Sequence, residues 1–340
     1  MLKNNPLSIK TKVVLSAITL VSFLTACTSN IKGTDSATIF INKMVETHEF
    51  DKVALDQLFE SVHINQDILK RMSTPAEGLP WYKYRKIFIT EARIQGGLKF
   101  WQENAETLSL VEKKTGIPPE IIVAIIGVET SYGQKTGNYG VLEALSTLAF
   151  AYPARSAFFQ SELENFLLLC REEHLDPLDL KGSYAGAMGS PQFMPSSFRT
   201  YAVDFNKDGR RDIWRNNSDI IASVANYFIK HGWQAGQEIA LPVSASGERY
   251  KVFLNQDLKP HLRFDQLESL NLNIKRPLPL NTEVTLLAFE QSISGQHTSE
   301  ELWVGLNNFY VITRYNHSPL YAMAVYQLGQ SILNEKGKFP

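Results

Sequence analysis

The sequence predicts a mainly α-helical protein with a small β-rich subdomain, an α+β chain. Three observations carry this. From residue 36 to about 237, apolar residues recur at spacings of three and four, the period of one helix face. From 238 to 290, short apolar segments (239–241, 250–254, 284–289) alternate with turns marked by Pro277, Pro279 and Asn281, the texture of short strands. No strand–helix–strand alternation and no glycine-rich phosphate loop occurs, which argues against a nucleotide-binding fold. With 340 residues, 44% of them hydrophobic, the chain can bury a sizeable core in two or three domains. A net charge of −1 implies no basic face, so nucleic acid is not an expected partner.

Residues 1–26 read as an export signal. Lys3, Lys10 and Lys12 precede a stretch, 13–26, that is apolar apart from Ser16, Thr19, Ser22 and Thr25. It is short for a membrane span. It ends Leu24-Thr25-Ala26-Cys27. A leucine three residues before a cysteine resembles the lipobox of bacterial lipoproteins, whose cysteine becomes the first mature residue and carries acyl chains. The alternative is a secretory signal with a chance cysteine. Several acyl chains anchor stably where one does not. Without residues 1–26 the chain keeps 31 basic against 35 acidic residues, a formal charge of −4. Residues 27–35 read as a polar tether. The other cysteine, Cys170, lies in an apolar helical stretch and reads as a small buried residue.

A helical region spans 36–112. Ile39, Ile41, Met44 and Val45 share helical spacing, as do Leu55, Leu58 and Phe59, and then Phe88, Ile89 and Ala92. Trp81-Tyr82-Lys83-Tyr84-Arg85 is an aromatic–basic cluster suited to a sugar or to packing between helices. A second region, 113–237, opens on residues 117–133. Pro118 and Pro119 can start a helix. Residues 121–128 then carry no polar side chain, and Gly127 and Gly133 bracket the end. The oddity is Glu129. It is either a helix-end surface residue, or a buried carboxyl whose pKa is raised because the charged form loses hydration. In the second case it can donate a proton near neutral pH.

Further on, Leu142, Leu145, Leu148 and Ala149 fit one helix, and Phe158, Phe159, Leu163, Phe166, Leu167 and Cys170 another, with Tyr152-Pro153 between. Residues 182–198 mix Gly and Pro with Met188, Phe193 and Met194. Such a mixture suits a backbone that approaches a ligand or helix closely. Next comes Asp204-Phe205-Asn206-Lys207-Asp208-Gly209-Arg210-Arg211-Asp212. Oxygen side chains at positions 1, 3, 5 and 9 with Gly at 6 follow an EF-hand calcium loop. Position 12, however, is Arg215 rather than glutamate, and Asp219 could supply the missing anion; a solvated turn is the alternative. After 291, the C-terminal part completes the core. Ser318 and Pro319 mark the start of a final helix carrying Met323, Val325, Tyr326 and Leu328.

Four ordered stretches carry a resemblance. They are Gly127-Val128-Glu129-Thr130-Ser131-Tyr132-Gly133; Gly186-Ala187-Met188-Gly189 with Gln192-Phe193-Met194-Pro195-Ser196; the aspartate loop; and Ile312-Thr313-Arg314-Tyr315-Asn316. Together they resemble the membrane-bound lytic murein transglycosylase B family, over about residues 36–335. The resemblance implies a core like that of goose-type lysozyme, an α domain, a small β domain and a Ca2+ site. It implies cleavage of the β-1,4 bond between N-acetylmuramic acid and N-acetylglucosamine in peptidoglycan, leaving a 1,6-anhydromuramoyl end. Glu129 falls on the family's acid/base. Ser183, Gln192 and Asn316 fall on polar groups of the saccharide cleft, Tyr227 and Tyr315 on its aromatic walls, and Arg155 on a contact to the peptide stem. Asp204, Asn206, Asp208, the Arg210 carbonyl and Asp219 fall on the calcium ligands. The family's chemistry fits a lone carboxylate: Glu120 lies nine residues earlier, about 180° around an ideal helix. A muramidase that adds water and a noncatalytic wall-binding lipoprotein stay open as alternatives. With Cys27 acylated, the implied location is the Gram-negative envelope. Thr28 in place of aspartate points to the periplasmic leaflet of the outer membrane. The implied partners are glycan strands, the membrane and cell-wall synthesis proteins.

Overall fold

The unbroken apolar run at 121–128 becomes α7 (Pro119–Thr130), a helix whose residues from Ile121 to Val128 are all buried. A helix that is apolar on every side has to be surrounded. Four helices surround it: α5 (Glu91–Glu103), α6 (Ala105–Thr115), α11 (Asn217–Lys230) and α14 (Pro319–Lys336). The computed structural model describes residue 31 and residues 34–73, 78–254, 258–268, 272–274, 278–292 and 298–338. The export signal, Cys27 and Pro277 lie outside the described residues.

Ahead of α7, α1 (Asp35–His48), α2 (Lys52–Glu60), α3 (Gln66–Met72) and α4 (Trp81–Phe88) form the amino-terminal helical layer. Its caps follow from sequence: Thr34, Asp51 and Asn65 each accept N–H bonds from the first turn behind them. Ile31, expected in a polar tether, is fully buried and its N–H reaches the Val62 carbonyl. The fold therefore starts earlier than composition suggested, because one isoleucine among polar neighbours found an apolar slot. Trp81 is buried and packs on Phe289, with ring centroids 5.3 Å apart. The aromatic–basic cluster thus serves packing at that residue.

After α7 come α8 (Val141–Ala151) and α9 (Ser156–Glu172), which pack on each other. A two-stranded ribbon pairs β1 (Tyr139–Gly140) with β2 (Lys181–Gly182), and a short α10 (Pro195–Tyr201) follows the Gly/Pro-rich stretch. The β-rich part is an antiparallel sheet holding β3 (Ala240–Ala245), β4 (Leu262–Arg263), β5 (Leu272–Ile274), β6 (Glu283–Ser292) and β7 (Thr298–Gly305), in the order β4-β6-β7-β3-β5. Its last strand lies beyond residue 290. The charged start of β7 hides its alternation, which surfaces only at Leu302, Trp303 and Val304. The period of two divides β6 between two cores. Val284 and Leu286 join Val304, Leu262 and Leu267, whereas Leu287 and Phe289 join the main core with Trp303. Helix α13 (Asn307–Thr313) then leads to α14, capped by Ser318 as the sequence predicts.

Close approach of α5 and α7 is made by glycine. The ring of Tyr132 lies in a slot between Gly96, Gly97 and Gly127, and its hydroxyl donates to the Arg93 carbonyl at 2.7 Å. A Cβ on Gly127 would sit 2.5 Å from that hydroxyl oxygen. At an exposed helical site Gly→Ala stabilises by up to about 1 kcal/mol. Here overpacking reverses the sign, and Gly127→Ala is expected to destabilise by roughly 1–3 kcal/mol. Urea unfolding of the two proteins measures it, and a stabilised variant would show the slot to be loose.

Candidate active site

Glu129 is the penultimate residue of α7 and its carboxyl points into the side of the molecule where α14 begins. Tyr321, in the first turn of α14, donates its hydroxyl to Glu129 Oε1 at 2.5 Å. Glu129 is partly buried by surface, and its surroundings are protein. Burial raises its pKa from 4.5 to about 7, and the Tyr321 hydroxyl, which favours the charged form, pulls weakly the other way. No second carboxylate is among the groups acting on it. Glu120 is at the far end of the same helix, roughly 13 Å along the axis.

Tyrosines wall this carboxyl. Tyr315 stacks on Tyr321 with centroids 6.5 Å apart and planes 11° apart. Tyr227 lies 4.7 Å from Tyr315, and Phe193 packs on both. Backbone carbonyls hold the wall: Tyr315 donates to Pro191 at 2.6 Å and Tyr227 to Arg314 at 2.5 Å. Burial first, then the Glu129 charge, pushes the Tyr315 and Tyr321 hydroxyls well above their usual range. They stay protonated and act as donors.

The Gly/Pro-rich stretch forms the adjoining side. Thr130 donates to the Ser190 carbonyl at 2.9 Å, tying the end of α7 to it. Gln192 has a left-handed backbone, φ 52°. Its side-chain nitrogen donates to the Thr136 and Gly189 carbonyls, each at 3.0 Å. The Ser183 hydroxyl oxygen accepts the N–H groups of Ala185 and Ala187 at 3.3 and 3.0 Å. Asn316 follows Tyr315 and is exposed. Arg155 is not brought to this group. It lies at the opposite end of α8 from the ribbon that leads to Ser183, roughly 16 Å away for an eleven-residue helix. Its guanidinium covers Phe158 and Phe159.

Sequence reasoning passed over Tyr321. Its one signal was a position three residues after the Ser318 cap, in a helix otherwise read for its apolar content. Arg93 was passed over as well. Its Nε donates to the Gly127 carbonyl at 2.8 Å and one terminal nitrogen to Ser131 Oγ at 3.1 Å, so it caps the carboxyl end of α7 as a cation suits.

The aspartate loop precedes α11. Asp208 N–H donates to both Asp204 Oδ1 and Asn206 Oδ1 at 3.2 Å, so both oxygens converge on that amide. Asp208 Oδ1 accepts the Arg210 N–H at 3.0 Å, and Gly209 has φ 88° at the tight turn. Asp219 is fully buried and accepts the N–H groups of Phe205 and Asp212. Burial and the nearby Asp204 charge raise its pKa. Among the described residues no set of three His, Cys, Asp or Glu converges on one point. The loop oxygens accept loop N–H groups instead. Even so, the candidate ligands are all hard oxygens, the Asp204 charge opposes that of buried Asp219, and no side-chain cation bonds Asp219 among the described residues. That arrangement fits a cation of the calcium type.

Comparison with known proteins adds to this geometry. The family model described as "Transglycosylase SLT domain" matches residues 34–330. The chain is 43% identical over 303 residues to membrane-bound lytic murein transglycosylase B of Escherichia coli (strain K12), covering 86% of this chain and 81% of that one. The fold matches the crystal structure of soluble lytic transglycosylase SltB1 from Pseudomonas aeruginosa with a TM-score of 0.83 and 46% identity, covering 89% and 100% of the two chains. It matches Escherichia coli lytic transglycosylase Slt35 in complex with calcium with a TM-score of 0.81 and 42% identity, covering 89% and 94%. SltB3 from Pseudomonas aeruginosa, in complex with NAG-anhNAM-pentapeptide, matches with a TM-score of 0.76 and 29% identity, covering 87% and 78%.

The raised pKa of Glu129 has a consequence for stability. In the unfolded chain the carboxyl ionises near 4.5, in the fold near 7. Its contribution to stability is therefore full below 4.5 and lost as pH rises to 7. Glu129→Gln, which does not ionise, is expected to match the parent at pH 4 and to exceed it by roughly 1–3 kcal/mol at pH 8. Denaturant titrations across that range measure the gap, and a pH-independent gap would contradict the shift.

Proposed function

This chain belongs to the transglycosylase SLT-domain family, and we propose that Glu129 is the acid and then the base of its reaction. The protein is a lytic transglycosylase that cleaves peptidoglycan. The observation that carries the assignment is a lone carboxyl, held near neutral pKa by burial and bonded to Tyr321. A retaining glycosidase with its own nucleophile needs two carboxyls about 5–5.5 Å apart. With one, the substrate supplies the nucleophiles. Protonated Glu129 gives its proton to the glycosidic oxygen between N-acetylmuramic acid and N-acetylglucosamine. The bond from that oxygen to the muramic anomeric carbon breaks while the carbonyl oxygen of the muramic N-acetyl group bonds to the carbon. Glu129, now a carboxylate, takes the proton of the muramic C6 hydroxyl. That oxygen displaces the acetamido oxygen and closes the 1,6-anhydro ring. The carboxyl ends as it began, and no water is consumed. A pKa near 7 suits both halves, and Tyr321 steadies the charged form between them.

Around this step, Ser183 donates and Gln192 accepts at the strand, Tyr227 and Tyr315 wall it, and Asn316 binds at the exposed edge. Arg155 remains an outer contact to a peptide stem, far from the reacting atoms. Asp204, Asn206, Asp208, the Arg210 carbonyl and Asp219 would hold a Ca2+ ion, which would neutralise the buried Asp219 together with Asp204 and Asp208 and tie the loop to α11. Export with acylation at Cys27 places the protein on the periplasmic leaflet of the outer membrane. Support for that comes from the Leu24–Cys27 pattern and from the membrane-bound relative. We assign residues 36–112 to an α domain, 113–237 with 306–340 to the catalytic core, and 238–305, through the end of β7, to the β subdomain.

Mass spectrometry of digested sacculi tests the reaction. Anhydromuramoyl ends are expected from the parent and a loss of at least a hundredfold in their release from Glu129→Gln; reducing ends would instead mark a muramidase. For the loop, Ca2+ is expected to raise Tm and a chelator to lower it, by several degrees. Asp208→Ala should remove that response. Equal Tm with and without Ca2+ would leave the loop a turn.

A further inference from the structure

Beside the carboxyl end of α7 lies a cavity of about 360 Å3, lined by Ile87, Thr90, Arg93, Ser131, Tyr132 and Lys135 among others, none of them acidic. Arg93 is the notable group in it. A guanidinium has five N–H donors. Three are committed, to the carbonyls of Gly127 and Ile87 and to Ser131 Oγ. The remaining two meet no acceptor, and no carboxylate pairs with Arg93 among the described residues. A half-buried cation without a counter-ion is costly, and the desolvation that lowers its pKa records that cost. Lys135 adds a second, exposed cation on the rim, also without an ion pair among the described residues. Thr90 and Ser131 add hydroxyls. This is the chemistry that takes a carboxylate on a planar fork.

The cavity shares a wall with the reacting site. Ser131 is two residues from Glu129, the Lys135 N–H donates to the Thr130 carbonyl at 2.9 Å, and Gln192 holds the Thr136 carbonyl from the other side at 3.0 Å. We propose that the Arg93–Lys135 cavity binds a carboxylate of the peptide stem carried by the strand whose sugar lies at Glu129. This rests on the transglycosylase reading. It makes Lys135 a determinant of preference for peptide-bearing over naked glycan, distinct from Arg155 at the far end of α8. Arg93 also caps α7, so substituting it would mix binding with positioning, and Lys135 is the cleaner probe.

The test uses the full chain on two substrates: sacculus-derived strands with their stems, and the same strands stripped of stems by an amidase. The ratio of kcat/KM for the first over the second is expected to fall roughly three- to tenfold in Lys135→Glu and to be kept in Lys135→Arg. Added salt should shrink the parent's ratio towards that of Lys135→Glu. A ratio unchanged in Lys135→Glu, or an equal loss on both substrates, would overturn the stem site while leaving the reaction standing. A parent that releases nothing from either substrate would sink the transglycosylase reading and this site with it.

Discussion

The setting of the Glu129 carboxyl follows from the burial of residues 121–128 of α7, the helix in which it is the penultimate residue. Eight successive apolar residues oblige α7 to be enclosed by α5, α6, α11 and α14. The enclosure carries Glu129 out of bulk water with it. A rise in pKa from 4.5 to about 7 corresponds to roughly 3 kcal/mol. Fully burying one isoleucine contributes about 1.5–3 kcal/mol. One or two of the isoleucines in α7 therefore offset the whole cost. The fold holds a carboxyl at neutral pKa because its burial comes along with burial that is favourable on other grounds.

Where the carboxyl points is decided by the turn after the helix. Ser131, Tyr132 and Gly133 are three successive left-handed residues. Such a run is unfavourable for the two with side chains. The Tyr132 ring in its glycine slot and Arg93 on Ser131 hold it in place. Thr130 fastens the same turn to Ser190, and Tyr321 reaches Glu129 from a helix that packs along α7, where Gly329 brings the two backbones close. Placement of the Glu129 carboxyl is thus shared by segments nearly two hundred residues apart in sequence, each fixed by a short-range contact.

The aspartate loop shows a second use of enclosed charge. Asp219 begins α11 as a residue of its first turn, capped by Asn216, and is buried there. Backbone N–H groups satisfy its oxygens without neutralising them. The proposed cation would answer the remaining repulsion from Asp204 and would tie the loop to α11.

Much of this was legible in the residues themselves. The apolar run, the two prolines ahead of it, the Ser318–Pro319 start of α14 and the Asp/Asn loop each act through nearest neighbours, so their structure is written locally. The order of the motifs also pointed to the family, and from it to Glu129. What the residues left open was non-local. An isolated glutamate after an apolar run reads equally as a surface residue. Only the packing of α14 shows it bonded to Tyr321. Arg93 and Tyr132 become a clamp only when α5 lies against α7. Arg155 looks close to the site by motif, yet the length of α8 carries it away. The strand at 298–305 is hidden by its charged start until β6 offers a partner. Local propensity and burial pattern were determined by sequence alone; which charges meet, and in how little water, was decided by tertiary structure, because desolvation and hydrogen bonding depend on what the rest of the chain brings alongside.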